Sequence, residues 1–197
     1  MRFIVFGIFF IFIGVFVFFF YPVLKAEYSL FVLDNDHFRT QILAVQKTIR
    51  QLTPVDEQFG IVINKIGATG KILDSVDYNG SPLEYTLLNG LVHQSDSAYP
   101  GEVGNMVIIS QTPGDWYKYT RSNPEFYLVY KLKPKDIIQV FYRGNRYDYE
   151  VLNSYTGTEK QLKSYTAVSN QKLLTLISGW PPGTTFFQLV VQAKLTE

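Results

Sequence analysis

The chain has 197 residues, 47% hydrophobic and 16% aromatic, with a formal net charge of +1. Charge this close to balance leaves no basic footprint for a nucleic acid, and that class of partner is set aside. No cysteine is present, which removes disulfides, thiolate metal sites and every cysteine-nucleophile mechanism at once. The two histidines, His37 and His93, cluster with no carboxylates in the sequence, so neither a metal nor a cofactor is implied.

Phe3 to Phe20 is an uncharged, Phe-rich run. At about 1.5 Å rise per residue it spans roughly 27 Å, close to the thickness of a bilayer's hydrocarbon core. Arg2 precedes it and Tyr21 stands where an interfacial aromatic belongs. A cleaved signal peptide would carry a shorter apolar core and a small-x-small site, which Val23-Leu24-Lys25-Ala26-Glu27 offers poorly. The expectation is therefore an uncleaved anchor over residues 1–24 with a single pass through the cytoplasmic membrane. The positive charge before the span argues for a domain on the extracellular side.

Residues 25–56 form a connecting region. Phe38, Ile42, Val45, Ile49 and Leu52 repeat at spacings of 4, 3, 4 and 3, a narrow helical stripe that Asp36 can cap and Thr53-Pro54 ends. Two readings stay open: a helix packed on the following domain, or a short self-associating stalk. Oligomerisation is left open with them.

From residue 57 onward the chain reads as short strands rich in Tyr, Thr, Val and Ile, with enough residues for one domain with a substantial core. Phe59 to Ile66 alternates around Ile61, Ile63 and Lys65; Gly67 to Gly70 is a turn and Lys71 to Leu73 a short strand. Asn79-Gly80 is a further turn signal, Met106 to Ile109 a buried strand, and Arg143-Gly144-Asn145 a turn between two strands. Thr156 to Asn170 is polar and reads as a loop or short helix. Near the end, Pro181-Pro182-Gly183-Thr184 separates two apolar runs as in a β-hairpin. Leu173 to Ile177 is apolar on both parities apart from Thr175, as in a strand covered on both sides. Beyond Phe187, Leu189, Val191, Ala193 and Leu195 share one face, and Gln188, Gln192 and Lys194 the other.

The wording of these segments resembles that of the sortases, membrane-anchored cysteine transpeptidases that join surface proteins to cell wall or to one another. Ile63-Asn64-Lys65-Ile66-Gly67 is similar to the end of the family's first strand, with Asn64 in place of a proline. Leu87 to His93 resembles its Leu-x-x-Gly-Val-x-His segment, and Pro100-Gly101-Glu102-Val103-Gly104-Asn105 its Pro-Gly-Glu-x-Gly-Asn loop. Pro113-Gly114-Asp115-Trp116-Tyr117, Asp136 to Val140 and Tyr147 to Val151 follow in family order. Leu174 to Ile177 with the Pro-Pro-Gly-Thr-Thr turn resembles its last hairpin. The resemblance runs from about residue 60 to 195. It implies a mainly β fold, a closed barrel of about eight strands with short helices over 57–197.

The resemblance also locates the family's chemistry, and this chain lacks it. Where the family has its nucleophilic cysteine stands Gly179, where it has its histidine Gln111, and where it has its arginine Gln188. Glycine forms no acyl-enzyme, and a glutamine neither exchanges protons near neutral pH nor carries charge for an oxyanion. Ser178 is the nearest hydroxyl but is turned one step away from position 179. Thr175 shares the parity of Gly179 and is expected deep in the barrel. His93 is expected to be a hydrogen-bonded structural residue of a loop, Asp115 and Glu102 to be solvated loop acids, with Glu102 helping to fix the Pro-Gly turn.

The sequence thus points to a catalytically inactive sortase-like protein, anchored in the membrane and binding a peptide or a surface or envelope protein without transpeptidation. Its ligand cleft is expected among Gln111, Trp116, Ser178, Gly179, Trp180 and Gln188. The alternative is a transpeptidase or hydrolase with relocated, non-cysteine machinery.

Overall fold

A computed structural model describes residues 14, 16–18, 20, 21, 23–31, 52–76, 91–110, 124–182, 184 and 186–196. Eight strands close into one barrel in the order β1-β2-β3-β4-β7-β8-β6-β5. They are β1 (Phe59–Ile63), β2 (Ala68–Val76), β3 (Leu91–Gln94), β4 (Gly104–Ile109), β5 (Ile137–Tyr142), β6 (Asn145–Gly157), β7 (Lys172–Trp180) and β8 (Phe187–Leu195). Closure comes from β1 pairing with both β2 and β5. Two pairs, β2 with β3 and β4 with β7, are parallel. Among the described strands none is left as an unpaired edge, which removes the pairing hazard of an open sheet.

The alternation of side chains divides the core in two. Inward residues, among them Ile61, Ile63, Leu91, Met106, Ile108, Val140, Leu174, Leu176, Leu189 and Val191, fill the barrel. On the outer wall, Val92, Val107, Ile109, Ile177 and Val190 form a second apolar cluster with Leu162, flanked by Tyr155 and Tyr165. The cover over this wall is a short helix α2 (Glu159–Leu162) and a 3-10 turn (Lys163–Thr166). Thr158 starts α2 with a capping box, its partner being Gln161. That is the helix expected in the polar tract, and its cover explains why Leu173 to Ile177 is apolar on both parities.

Three sequence expectations change. Lys65 does not lie on β1: the chain leaves the strand after Ile63 and turns through a 3-10 segment, Asn64–Ile66, ended by Gly67 at φ +68°. Ala68 to Gly70, expected as part of a turn, open the nine-residue β2, and the short strand expected at Lys71 to Leu73 is its middle. Its extension follows from pairing with β1 on one side and β3 on the other, which sequence propensity alone does not weigh. The Arg143-Gly144 turn forms as expected, with both residues at positive φ (51° and 77°) as a tight hairpin between twisted strands needs.

Residues between 14 and 31 that are described are helical, here α1. Among the described residues no helix is long and apolar enough to cross a membrane. Most of the Phe3–Phe20 run, Asn79-Gly80 and the stripe from Phe38 to Ile49 lie outside the described residues; Leu52 to Pro54 are non-helical. α1 docks on the barrel. Val23 and Ala26 are buried there and Leu30 packs against the barrel core. Glu27 Oε2 lies 2.8 Å from Lys131 Nζ, and the Tyr130 hydroxyl donates to Glu27. Burial pushes the Glu27 carboxyl up, but hydrogen bonds from Lys131 and Tyr130 outweigh it and hold the group below the usual carboxylate range.

Candidate functional site

The exits of β4 and β7 and the start of β8 meet at one end of the barrel. β4 and β7 run parallel with Ile109 beside Ile177, and the Ser110 amide donates to the Ile177 carbonyl at 2.9 Å. On the other side of β7, Ser178 faces Leu189, Gly179 faces Gln188 and Trp180 faces Phe187. Across β8, Gln188 also faces Gly157 of β6. Directly paired residues share a face, so the outer wall here is a row Gly157–Gln188–Gly179. Half-buried Gln188 is the one side chain in it. A Cβ at Gly157 would meet Gln161 Oε1 at 3.1 Å, so the helix cap crowds that flank.

The six residues expected to line a cleft divide. Gln111 and Trp116 lie outside the described residues. Gly179 and Gln188 are brought together on the outer wall. Ser178 and Trp180 have the opposite parity: Ser178 is 2% exposed, and the Trp180 ring meets Tyr130 edge-on at 5.2 Å. Trp180 thereby connects the strand end to the residue that holds Glu27 of α1. Phe186 and Phe187 in the β7–β8 connection are exposed and form an apolar rim.

Thr175 is not inside the barrel. It has the parity of Ile177 and lies buried on the outer wall, opposite Gln192. Its hydroxyl donates to Asn105 Oδ1 at 2.8 Å and lies 3.1 Å from the Tyr165 carbonyl. Asn105 Nδ2 and Gln192 Nε2 donate to the same carbonyl, at 2.8 and 3.2 Å. This network pins the covering segment to β4, β7 and β8, the role of a satisfied buried polar group. The backbone turns of the cover, invisible to strand parity, put those acceptors there.

His93 is fully buried and lies on strand β3 rather than in a loop. Its Nδ1 lies 3.1 Å from Asp74 Oδ1, and its Nε2 3.0 Å from both Ser97 Oγ and the Ala98 carbonyl. Serine, histidine and aspartate thus stand in line, a constellation that sequence spacing did not reveal. Parallel pairing of Leu73 with Val92 is what brings Asp74 level with His93. The cluster is nonetheless closed rather than poised: the imidazole reaches no solvent, and Nε2 is shared between the Ser97 hydroxyl and the Ala98 carbonyl. Ser97 Oγ donates to the Gln94 carbonyl at 2.8 Å and accepts from the Val107 amide at 3.1 Å. The rings of Phe59 and Tyr99 pack against the imidazole. Glu102 behaves as expected, its Oε2 accepting from the Tyr99 amide at 3.0 Å across the Pro100-Gly101 turn.

A closed eight-stranded barrel with a parallel β4–β7 pair and a hairpin at its chain end defines the class. The sortase domain family matches residues 61–196, and the chain belongs to that family. Among solved structures it is similar to a Clostridium perfringens sortase D5 transpeptidase at 22% identity and TM-score 0.58, over 83% of this chain and 89% of that one. A Streptococcus agalactiae sortase C1 gives 20% identity and TM-score 0.59 over 73% and 70% of the two chains. Sortase C-1 from Actinomyces oris gives 20% and 0.58 over 89% and 99%. No curated protein matches the chain.

The chain is therefore a sortase-fold protein without a cysteine. At the β7–β8 exit the row Gly157–Gln188–Gly179 offers backbone groups and one neutral amide. Such a surface supplies no nucleophile.

Proposed function

We propose that this protein is an inactive sortase homologue, held in the cytoplasmic membrane by its N-terminal segment, that binds a peptide segment of a surface or envelope protein without cutting it. The observation that carries this reading is the direct pairing of Gly179 with Gln188, the matching places of the family's cysteine and arginine, on the outer wall, where Gly179 is buried and Gln188 half-buried. Gly179 has no side chain to attack a peptide, and the Gln188 amide both donates and accepts. Gln111 and Trp116, whose places in the motif order adjoin this end, complete the proposed cleft with Trp180 as its border. Relocated hydroxyl machinery would need a base facing Ser178 or Ser97. Ser178 is buried, and the imidazole that Ser97 meets is itself fully buried.

The test is fluorescence anisotropy of the full chain against a library of extended envelope-protein peptides. Saturable binding, weakened several-fold by Gln188→Ala and abolished by Gly179→Trp, is expected. No binding by any peptide, or binding indifferent to both changes, would sink the proposal.

A further inference from the structure

α1 presents two opposed faces. Val23, Ala26, Glu27 and Leu30 touch the barrel, and at 3.6 residues per turn they fall within an arc of about 100°. Val17, Tyr21, Leu24, Tyr28 and Phe31 fall within about 80° on the other side, and every one is exposed, Tyr28 at 68% and Phe31 at 65%. A continuous apolar stripe of that kind is a contact surface awaiting its partner.

We infer that this stripe lies on the lipid bilayer, so that α1 is clamped between the membrane and the barrel. The inference rests on the anchor reading proposed above and adds an orientation to it. Three observations favour lipid over protein. The stripe continues, with no charge on that face, from the uncharged run Phe3–Phe20. It carries two tyrosines, rings with an apolar body and a polar tip, which suit the headgroup layer. The acid of this stretch, Glu27, is on the barrel side against Lys131, while Lys25, Lys133 and Lys135 are exposed and available to anionic headgroups.

Length decides how α1 must sit. Ten steps from Tyr21 to Phe31 cover about 15 Å, whereas a headgroup layer is roughly 5–7 Å deep. A helix continuing straight out of the bilayer would leave Tyr28 and Phe31 in water, so this half leans onto the surface. The barrel then rides on the far side of α1. Through Glu27, Tyr130 and Trp180 the Gly179 end of β7 is held close to the headgroups.

The chain has no cysteine, so single cysteines can be labelled in the full-length protein without background. Leu24→Cys, Tyr28→Cys and Phe31→Cys, with Lys160→Cys as a barrel reference, are spin-labelled and reconstituted in vesicles of three parts phosphatidylcholine to one part phosphatidylglycerol. Collisions with oxygen and with a water-soluble nickel chelate are measured. The first three labels are expected to favour oxygen several-fold more than the reference does. If Tyr28→Cys and Phe31→Cys instead meet the nickel chelate as the reference does, while the protein stays with the vesicles through carbonate washing, the orientation is overturned and the anchor stands. Shielding from both reagents means that protein covers the stripe, which also overturns it. A chain washed off the vesicles removes the anchor and the inference together.

Discussion

Two regions of this barrel invert each other. Around His93 the residue types of a hydrolase stand in line, yet the imidazole is sealed and its Nε2 is shared with a backbone carbonyl. At the β7–β8 end Gly179 and Gln188 face each other on the outer wall, and neither offers a nucleophile. What separates the regions is that one keeps reactive side chains sealed inside and the other has none to offer.

The contrast can be broken most forcefully at His93. Its replacement by alanine leaves Asp74 and Ser97 facing a buried void, and a loss of about 3 kcal/mol is expected from the cavity and the unmet hydrogen bonds. Chemical denaturation measures it; a loss below about 1 kcal/mol would mean the cluster is not structural. Ser97→Ala is expected to cost less, about 1–2 kcal/mol, since it strands the Val107 amide. At the other region the combined change Gly179→Cys, Gln111→His and Gln188→Arg is expected to fold with a loss of about 1–2 kcal/mol, since Gly179 is buried on the outer wall and a new side chain must be packed there. If that triple variant is unfolded, the assignment of the three places is wrong.

Smaller still is the effect of pH on the docking of α1. Glu27 has a lowered folded-state pKa, so its contribution is complete above the ordinary value of 4.5 and is lost as pH falls through the lowered one. Lys131 is raised from 10.5, chiefly by its hydrogen bond to Glu27, so its contribution is complete below that value and is lost as pH rises through the raised one. A spin label on α1 is therefore expected to be least mobile between about pH 5 and 10 and to loosen outside that window. In Glu27→Gln the acidic limb of that profile should vanish.

The barrel was legible because its signals are local. Alternation along Gln188 to Leu195, the Arg143-Gly144 turn and the Pro100-Gly101-Glu102 loop each declare themselves within a few residues. Legible too was the separation of Ser178 from Gly179, which strand parity dictates. What escaped depends on contacts between distant segments. Thr175 has the parity of the outer wall, but only the fold of residues 158–171 shows that this wall is covered and dry. The alignment of Asp74 with His93 waits on a parallel pairing of two strands, and the grip of Tyr130 and Lys131 on Glu27 joins segments about a hundred residues apart.

The most direct test of a barrel that binds without reacting is the intact mass of the full chain after prolonged exposure to acylating probes and to any peptide it binds. The mass is expected to stay unchanged, with the peptide recovered whole. A covalent adduct on any hydroxyl, or cleavage abolished by Ser178→Ala or Ser97→Ala, would contradict the account.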